Sequence, residues 1–135
     1  MRKLFVDTAG WVACADRNDR AHGKCVVSRD AELRAGAVLL TTDYVVDETL
    51  TLLRLRIGLA AAREWWGRIS ASRRVVMAEV DHGLREDALH WFFRYEDKEF
   101  SFTDCTSFAL MQREKLREAL TTDRHFEQAG FQMVP

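Results

Sequence analysis

Three acidic side chains lie where the chain pattern predicts that they meet. Asp7 directly follows the short apolar run Leu4-Phe5-Val6, and Asp123 ends a similar run at 119–122. Asp104 lies where a helix is predicted to begin. In an open α/β sheet, the carboxyl ends of the strands and the first turns of the following helices border one crevice. We therefore expect these three carboxylates to converge there.

A fourth acid, Glu48, is harder to place from its position in the sequence. It lies one turn inside a predicted helix, with Asp47 beside it. It is off the apolar stripe of that helix but adjacent to Val45 and Leu52, so we expect a half-buried side chain rather than a fully solvated one.

Carboxylates that converge need a counter-charge. Three or four of them within a few ångströms repel one another, and some are forced to take up a proton unless a cation is bound. An all-oxygen ligand set without clustered His or Cys favours Mg²⁺ or Mn²⁺ over zinc. Such an ion orients a water, lowers its pKa and neutralises charge on a phosphodiester. The pattern is therefore suited to metal-assisted hydrolysis without a covalent protein intermediate.

Each acid taken singly also has an ordinary structural explanation. Asp104 can serve only as a helix cap, Asp123 only as a turn residue, and the pair Asp47-Glu48 only as a solvated helix face. The combination of two strand-terminal acids and a helix-start acid in one short chain favours a common site.

The predicted elements alternate between short strands and helices. Such alternation requires crossover connections and predicts an α/β fold with a mostly parallel sheet of four to five strands and helices on both faces. The predicted strands cover Lys3–Val6, Ala37–Leu40, Val75–Val80, 119–122 and Phe131–Val134. The predicted helices cover Thr8–Ala15, His22–Ala35, a segment from the Thr41-Thr42-Asp43 cap to Gly58, Leu59–Ser72, a segment capped by Asp81 and ending near Tyr95, Cys105–Leu116, and Arg124–Gln128.

Composition limits the class of protein. At 135 residues with 47% hydrophobic side chains, the chain fits one globular domain spanning residues 1–135. We expect neither secretion nor membrane spanning, because no leader or long apolar run is found. The three cysteines lack C-x-x-C spacing, which indicates reduced thiols in a cytoplasmic protein and no structural zinc. If four of the 21 acidic side chains bind cations, 17 acidic residues remain against 20 basic ones. This balance allows a phosphate-binding surface around the acids.

Four segments together carry a family resemblance. The chain resembles the PIN domain over essentially its whole length, and within that family the VapC-type toxins of bacterial toxin–antitoxin pairs. The segments similar to the family's motifs are Phe5-Val6-Asp7-Thr8, Thr42–Leu53 with its Glu48, Ser101–Cys105 with its Asp104, and Leu120–Phe126 with its Asp123; Asp19–His22 is also similar to the family's Asp-x-x-His stretch.

The resemblance implies a three-layer α/β/α sandwich and an endoribonuclease dependent on Mg²⁺ or Mn²⁺ that cuts single-stranded or loop RNA. It implies that Asp7, Asp104 and Asp123 bind the metal, with Glu48 bound directly or through water. Thr8 and Thr103 are implied as substrate-positioning neighbours of two of these acids. Many members carry a further acid, for which Glu127 is the candidate here; its longer side chain either reaches the metal through water or misses it. A VapC-type toxin is usually a homodimer held inactive by a cognate antitoxin.

Other chemistry-bearing residues are assigned ordinary roles. For His125 we expect capping or surface hydrogen bonding, with a place facing the substrate as the alternative. For His22 we expect a structural role or a place at the groove edge. The carboxylate of the preceding Asp104 is expected to raise the pKa of the Cys105 thiol and make it a poor nucleophile. Trp65 and Trp66 cannot both face one core, because helical neighbours diverge by about 100°. Further candidates for base stacking are Trp91, Phe92 and Phe93, and for phosphate contacts Arg54, Arg56, Arg68, Arg73, Arg74, Arg113 and Lys115.

Three alternative functions remain to be weighed. A haloacid-dehalogenase-type phosphatase also opens with a strand ending in Asp, but it needs a second Asp two residues later, where this chain has Ala9. A receiver-like signalling domain needs a phosphorylatable Asp at the end of a central strand, which neither 37–40 nor 75–80 supplies. A degenerate PIN domain that binds RNA or a partner protein without cutting stays open.

Overall fold

Five parallel strands form one central sheet. The computed structural model describes residues 1–135. The strand order is β3-β2-β1-β4-β5, and each neighbouring pair is parallel. The strands are β1 (Lys3–Val6), β2 (Val38–Thr42), β3 (Val75–Ala78), β4 (Glu118–Leu120) and β5 (Gln132–Val134). The predicted parallel α/β sheet is confirmed, and all five predicted strand segments are present.

Seven helices flank the sheet and complete the α/β/α layers. Their bounds lie within a few residues of the predicted ones, and none is long and apolar enough to cross a lipid bilayer. The helices are α1 (Thr8–Ala15), α2 (His22–Arg34), α3 (Asp43–Arg56), α4 (Leu59–Ala71), α5 (His82–Arg94), α6 (Phe102–Arg113) and α7 (His125–Gln128).

The centre of the sheet is β1, which pairs with β2 on one side and with β4 on the other. The chain builds the sheet outward from β1 through β2 to β3, then returns to place β4 on the opposite side of β1. With right-handed crossovers, this reversal puts the later helices on the opposite face. The carboxyl ends of β1 and β4 therefore border the crevice at which open α/β sheets bind ligands.

Two elements differ from their predicted bounds for identifiable reasons. Strand β2 continues to Thr42 instead of Leu40, because Thr41 buries its hydroxyl between two partners: it donates to the Val6 carbonyl and accepts from the Trp11 indole. Helix α6 begins at Phe102 and ends at Arg113 instead of spanning Cys105–Leu116. Ser101 caps its start, as one of the two predicted caps, and Lys115 at φ +57° stops its continuation.

The aromatic side chains divide between the core and the surface. Phe108 packs against Phe126 at 5.0 Å between ring centroids, and Phe126 packs against Phe5 of the central strand at 6.2 Å. Trp65 is buried while Trp66 is 39% exposed, so the predicted divergence of this pair is confirmed.

The two edges of the sheet differ in character. Strand β3 is an edge strand whose Val76 and Met77 are both exposed. Strand β5, at the other edge, has only three residues and is followed directly by Pro135.

The beginning of helix α1 lies against the end of strand β4, with no space for a side chain at Gly10. A Cβ atom added to Gly10 would lie 2.1 Å from the Leu120 carbonyl oxygen, which belongs to the backbone and cannot rotate away. Glycine at this position therefore lets the beginning of α1 approach the end of β4.

We predict that Gly10→Ala lowers the free energy of unfolding by about 3 kcal/mol or more, because a backbone strand must move to admit the methyl group. The matched control is Gly67→Ala in α4, where an added Cβ meets nothing within 4 Å. That variant is expected to gain about 0.5 to 1 kcal/mol from reduced backbone freedom. Urea denaturation of both variants measures the difference. Equal effects at the two positions would contradict the close approach of α1 and β4.

Candidate active site

A cavity of about 250 Å³ lies at the carboxyl end of the central strands. It brings together the four predicted acids, Asp7, Glu48, Asp104 and Asp123, and adds a fifth, Asp19. The remaining lining residues are Thr8, Ala9, Val12, Val45, Leu52, Arg56, Thr103, Ser107 and Thr122.

Asp7 is a buried carboxylate with both oxygens held by the protein. Its Oδ1 accepts from the Gly10 amide at 2.9 Å, which makes Asp7 the N-cap of α1. Its Oδ2 accepts from the Thr121 hydroxyl at 2.8 Å. Burial raises the pKa of Asp7 to about 7, and the nearby charges of Asp123 and Asp104 act in the same direction, against the two hydrogen bonds.

Asp104 combines a structural role with a place in the cavity. It is the third residue of α6 and forms a capping box with Ser101, whose amide donates to Asp104 Oδ2 at 3.1 Å. The same oxygen forms a hydrogen bond with His125 Nδ1 at 3.0 Å, in which Nδ1 is the donor when Asp104 is ionised. Burial raises the pKa of Asp104, and Asp123 adds to the effect.

Asp123 is positioned by hydrogen bonds at the end of β4. Its amide donates to Thr121 Oγ1 at 2.9 Å, and its Oδ1 accepts from the His125 amide at 2.9 Å. One ligand atom each from Asp104, Asp123 and His125 lies within 4.8 Å of the other two. Thr121 therefore connects Asp7 to Asp123, and His125 connects Asp123 to Asp104.

Glu48 reaches the cavity from a separate face of α3. Val45, Glu48, Leu52 and Arg56 all line the cavity, and their spacing of three to four residues places them on one side of the helix. Glu48 is half-buried, as predicted, whereas its neighbour Asp47 is exposed. The apolar stripe of the same helix keeps Val46 and Leu53 in the core, although Ile57 at its end is 46% exposed.

The two predicted substrate-positioning residues, Thr8 and Thr103, also line the cavity. The Thr8 hydroxyl oxygen is buried and has no hydrogen-bond partner within the protein. A buried hydroxyl without a partner is costly. A ligand in the cavity is one source of the missing hydrogen bond.

Glu127 lies apart from the other predicted acids. It does not line the acid cavity, and its exposed carboxylate pairs with Arg124 at 3.6 Å. Of the two outcomes open from the sequence, this placement favours a side chain that misses the metal.

The other candidates have the following places. Arg56 lines the cavity, 3.8 Å from Asp19, whereas Arg68 and Arg113 pair with Glu64 and Asp81 elsewhere. Arg74 donates to the carbonyls of Leu33 and Ala37, which is a structural role. His22 Nδ1 donates to the Ala13 carbonyl at 2.8 Å and ties α2 to α1. Cys105 is buried, and burial followed by the Asp104 charge raises its thiol pKa to about 12, so it is no nucleophile.

Two residues of the site were not singled out for these roles from the sequence. Thr121 follows β4 as Asp7 follows β1, and the register pairs Val6 with Leu120, so the two residues are direct neighbours across the strand ends. The contact between Thr121 and Asp7 could not be predicted from the sequence, because it depends on β4 being the neighbour of β1 in the sheet. His125 lies two residues after Asp123, and only the position of α6 shows that its ring meets Asp104.

Comparison with known proteins agrees with this geometry. The family model described as "PIN domain" matches residues 4–132. The chain is 34% identical over 131 residues to "23S rRNA-specific endonuclease VapC20" of Mycobacterium tuberculosis strain H37Rv, with 95% of each chain covered.

Solved structures give the same result. The crystal structure of M. tuberculosis VapC20, described in its title as a "Sarcin-Ricin loop cleaving toxin", matches with a TM-score of 0.84 and 35% identity, covering 96% of each chain. VapBC2 from Rickettsia felis, bound to a DNA fragment from its promoter, matches with a TM-score of 0.74 at 7% identity over 97% of this chain and 96% of that one, a likeness of fold alone. On the match of the family model and the identity to VapC20, the chain belongs to the PIN-domain family.

Proposed function

We propose that this protein is a metal-dependent endoribonuclease and the toxin of a type II toxin–antitoxin pair. The observation that carries the proposal is the convergence of Asp7, Glu48, Asp104 and Asp123 on one cavity at the carboxyl end of β1 and β4. Membership of the PIN family and the similarity to an enzyme named as an rRNA endonuclease support the same reaction class. The substrate class is therefore RNA.

The residues present fit a divalent cation. The donor set is oxygen from carboxylates, which suits Mg²⁺ or Mn²⁺. Without a cation, burial holds the pKa of Asp7 at about 7 and raises that of Asp104, so ionising both is unfavourable. The unpartnered hydroxyl of Thr8 in the same cavity is a further unsatisfied polar group. We assign Asp7, Asp104 and Asp123 as ligands, with Glu48 bound directly or through water.

A bound ion would supply an acidified water and a counter-charge for the phosphodiester. The protein's own contribution is to hold the acids in place. Thr121 orients Asp7 by donating to Oδ2, and His125 orients Asp104 by donating to its Oδ2. Such outer hydrogen bonds fix the direction of metal-binding carboxylates. Thr8 and Thr103 present side chains at the same cavity and are proposed to position the substrate.

A cognate antitoxin and a homodimer belong to the same proposal. The similar VapC20 structure is described as that of a toxin, and two structures of similar fold are named VapBC2 and FitAcB. The chain also exposes large apolar side chains, among them Phe92 at 41% and Phe93 at 73%, which offer surface for protein contacts. The mass of the purified protein by light scattering measures self-association directly.

We predict that Asp7→Asn, Asp104→Asn, Asp123→Asn or chelation by EDTA abolishes cleavage of a mixed RNA pool while the fold is kept. Loss of a metal ligand is expected to exceed the ~10–100-fold typical of losing an outer partner. Glu48→Gln is compared with Asp47→Asn, because Asp47 is the exposed neighbour on the same helix turn. Gel analysis of cleavage and circular dichroism measure activity and fold.

Full cleavage in EDTA, or full activity of Asp104→Asn, would contradict the proposed metal-dependent mechanism. RNA binding without cleavage by the wild-type protein would favour the degenerate, non-catalytic alternative.

We predict that metal-free protein loses stability as pH rises from about 4 to about 7 through ionisation of Asp7. Its folded pKa of about 7 lies above the value of 3.8 for a free aspartate, so the folded state holds the proton more tightly than the unfolded chain does. The free energy of unfolding falls across this window and levels off above it. Asp7→Asn lacks this ionisable group, so between pH 4 and pH 7 its stability relative to wild type should rise by an amount on the order of 4 kcal/mol. Denaturation in EDTA at several pH values measures the slope.

Asp47→Asn serves as the exposed-acid control and should keep the wild-type slope. Millimolar Mg²⁺ or Mn²⁺ should then stabilise wild type at pH 8 and leave Asp7→Asn unchanged. Identical pH profiles for wild type and Asp7→Asn would contradict the buried ionisation.

We predict that Thr121→Val lowers the cleavage rate by about 10–100-fold, because Asp7 and Asp123 lose a shared hydrogen-bond partner. Thr121→Ser keeps the hydroxyl and should restore activity to within a few-fold. Thr51→Val, which removes an exposed hydroxyl on α3, is the control. The Mg²⁺ concentration for half-maximal rate should rise in Thr121→Val and stay at the wild-type value in Thr121→Ser and Thr51→Val. If Thr121→Val needs the same Mg²⁺ concentration for half-maximal rate as wild type, the proposed role of Thr121 in orienting the carboxylates is wrong.

A further inference from the structure

A second depression, of about 670 Å³, lies beside the acid cavity. The two share Thr122, and the Thr121 that contacts Asp7 also lines the second depression. The floor between them is therefore the end of strand β4. The two depressions are therefore adjacent at this point.

The two depressions carry opposite charge. Five acids and one arginine line the acid cavity, whereas Lys24, Arg117 and Arg124 line the second depression with one acid, Glu127. Arg124 pairs with Glu127 at 3.6 Å, and both side chains are exposed. Lys24 and Arg117 are exposed and form no ion pair with any carboxylate of the chain. Two unpaired cations therefore face the solvent next to the acids.

We propose that this basic depression binds the phosphates of RNA nucleotides adjacent to the one that is cut, with Lys24 and Arg117 as the positioning residues. The inference rests on the proposed function and extends it to the path of the substrate. RNA carries a phosphate at every nucleotide, and phosphates away from the metal are repelled by the carboxylates of the acid cavity. They need a basic surface at its rim, and the end of β4 leads to one.

An acidic protein segment is the other macromolecule that fits a basic depression. The RNA strand is favoured because the depression is continuous with the cavity that is proposed to hold the scissile phosphodiester. The exposed hydroxyl of Thr122 lies on the shared rim and adds a hydrogen-bond donor for a phosphate oxygen.

The test uses the full-length double variant Lys24→Gln/Arg117→Gln. Its matched control is Arg34→Gln/Arg63→Gln, which removes the same charge from exposed arginines that line neither depression. The probes are a mixed-sequence single-stranded RNA of twelve nucleotides and a dinucleotide whose only phosphate is the scissile one. Cleavage is measured in Mg²⁺, and binding of the longer RNA is measured against salt concentration in an Asp104→Asn background.

The double variant is expected to raise KM for the longer RNA by about 10-fold with kcat within about 2-fold of wild type. The slope of log affinity against log salt should become shallower by about 1.4, or ~0.7 for each lost phosphate contact to a single strand. Cleavage of the dinucleotide should not change, because it cannot reach the depression. The control variant should match wild type in all three measurements.

The inference is overturned if KM and the salt slope match those of the control, or if dinucleotide cleavage falls equally. A poly-glutamate peptide that binds as tightly as the RNA, with the same sensitivity to the two substitutions, would assign the depression to acidic protein segments instead. If wild-type protein cuts RNA and the double variant matches it in KM and salt slope, the inference is overturned and the proposed function stands. Wild-type protein that neither cuts nor binds RNA overturns both.

Discussion

A buried carboxylate with both oxygens held by the protein is the constraint on which this structure depends. Asp7 ends the central strand, caps α1 through the Gly10 amide and accepts from Thr121 at the end of the neighbouring strand. These contacts require the beginning of α1 to lie against the end of β4, which only a glycine at position 10 permits. One side chain thereby links the strand order, the helix start and the acid cavity.

The acids of the site are also structural residues. Asp7 is an N-cap and Asp104 completes a capping box. The explanation of Asp104 as a cap is therefore correct, and it does not exclude a second role. A helix cap has a fixed direction, because its oxygen must meet a backbone amide. Because the caps are also site residues, the orientation of their carboxylates is set as soon as the helices form. In Asp104, both hydrogen bonds go to Oδ2, and Oδ1 forms none.

The fold was predictable because local patterns and global topology agree. Short apolar runs that stop at Asp7 and Asp123, with helical spacing between them, lead to parallel strands whose ends converge. Glu48 was not derivable in this way, since it depends on which face of α3 turns towards β1, and a helix with two usable faces does not specify that choice locally. The roles of Thr121 and His125 arise from neighbours 114 and 21 residues away, Asp7 and Asp104. Such contacts follow from strand order and helix placement, which no sequence window contains.

The unequal edges of the sheet limit how copies of this molecule can add to one another through their backbones. Strand β3 presents unpaired backbone groups together with exposed Val76 and Met77, whereas β5 offers three residues before a proline that has no amide to donate. Growth of a continuous sheet from molecule to molecule needs two usable edges. A molecule with one such edge can pair with a second copy edge to edge, and the pair then has no free edge. With one usable edge, any backbone pairing between copies of this chain would stop at two molecules.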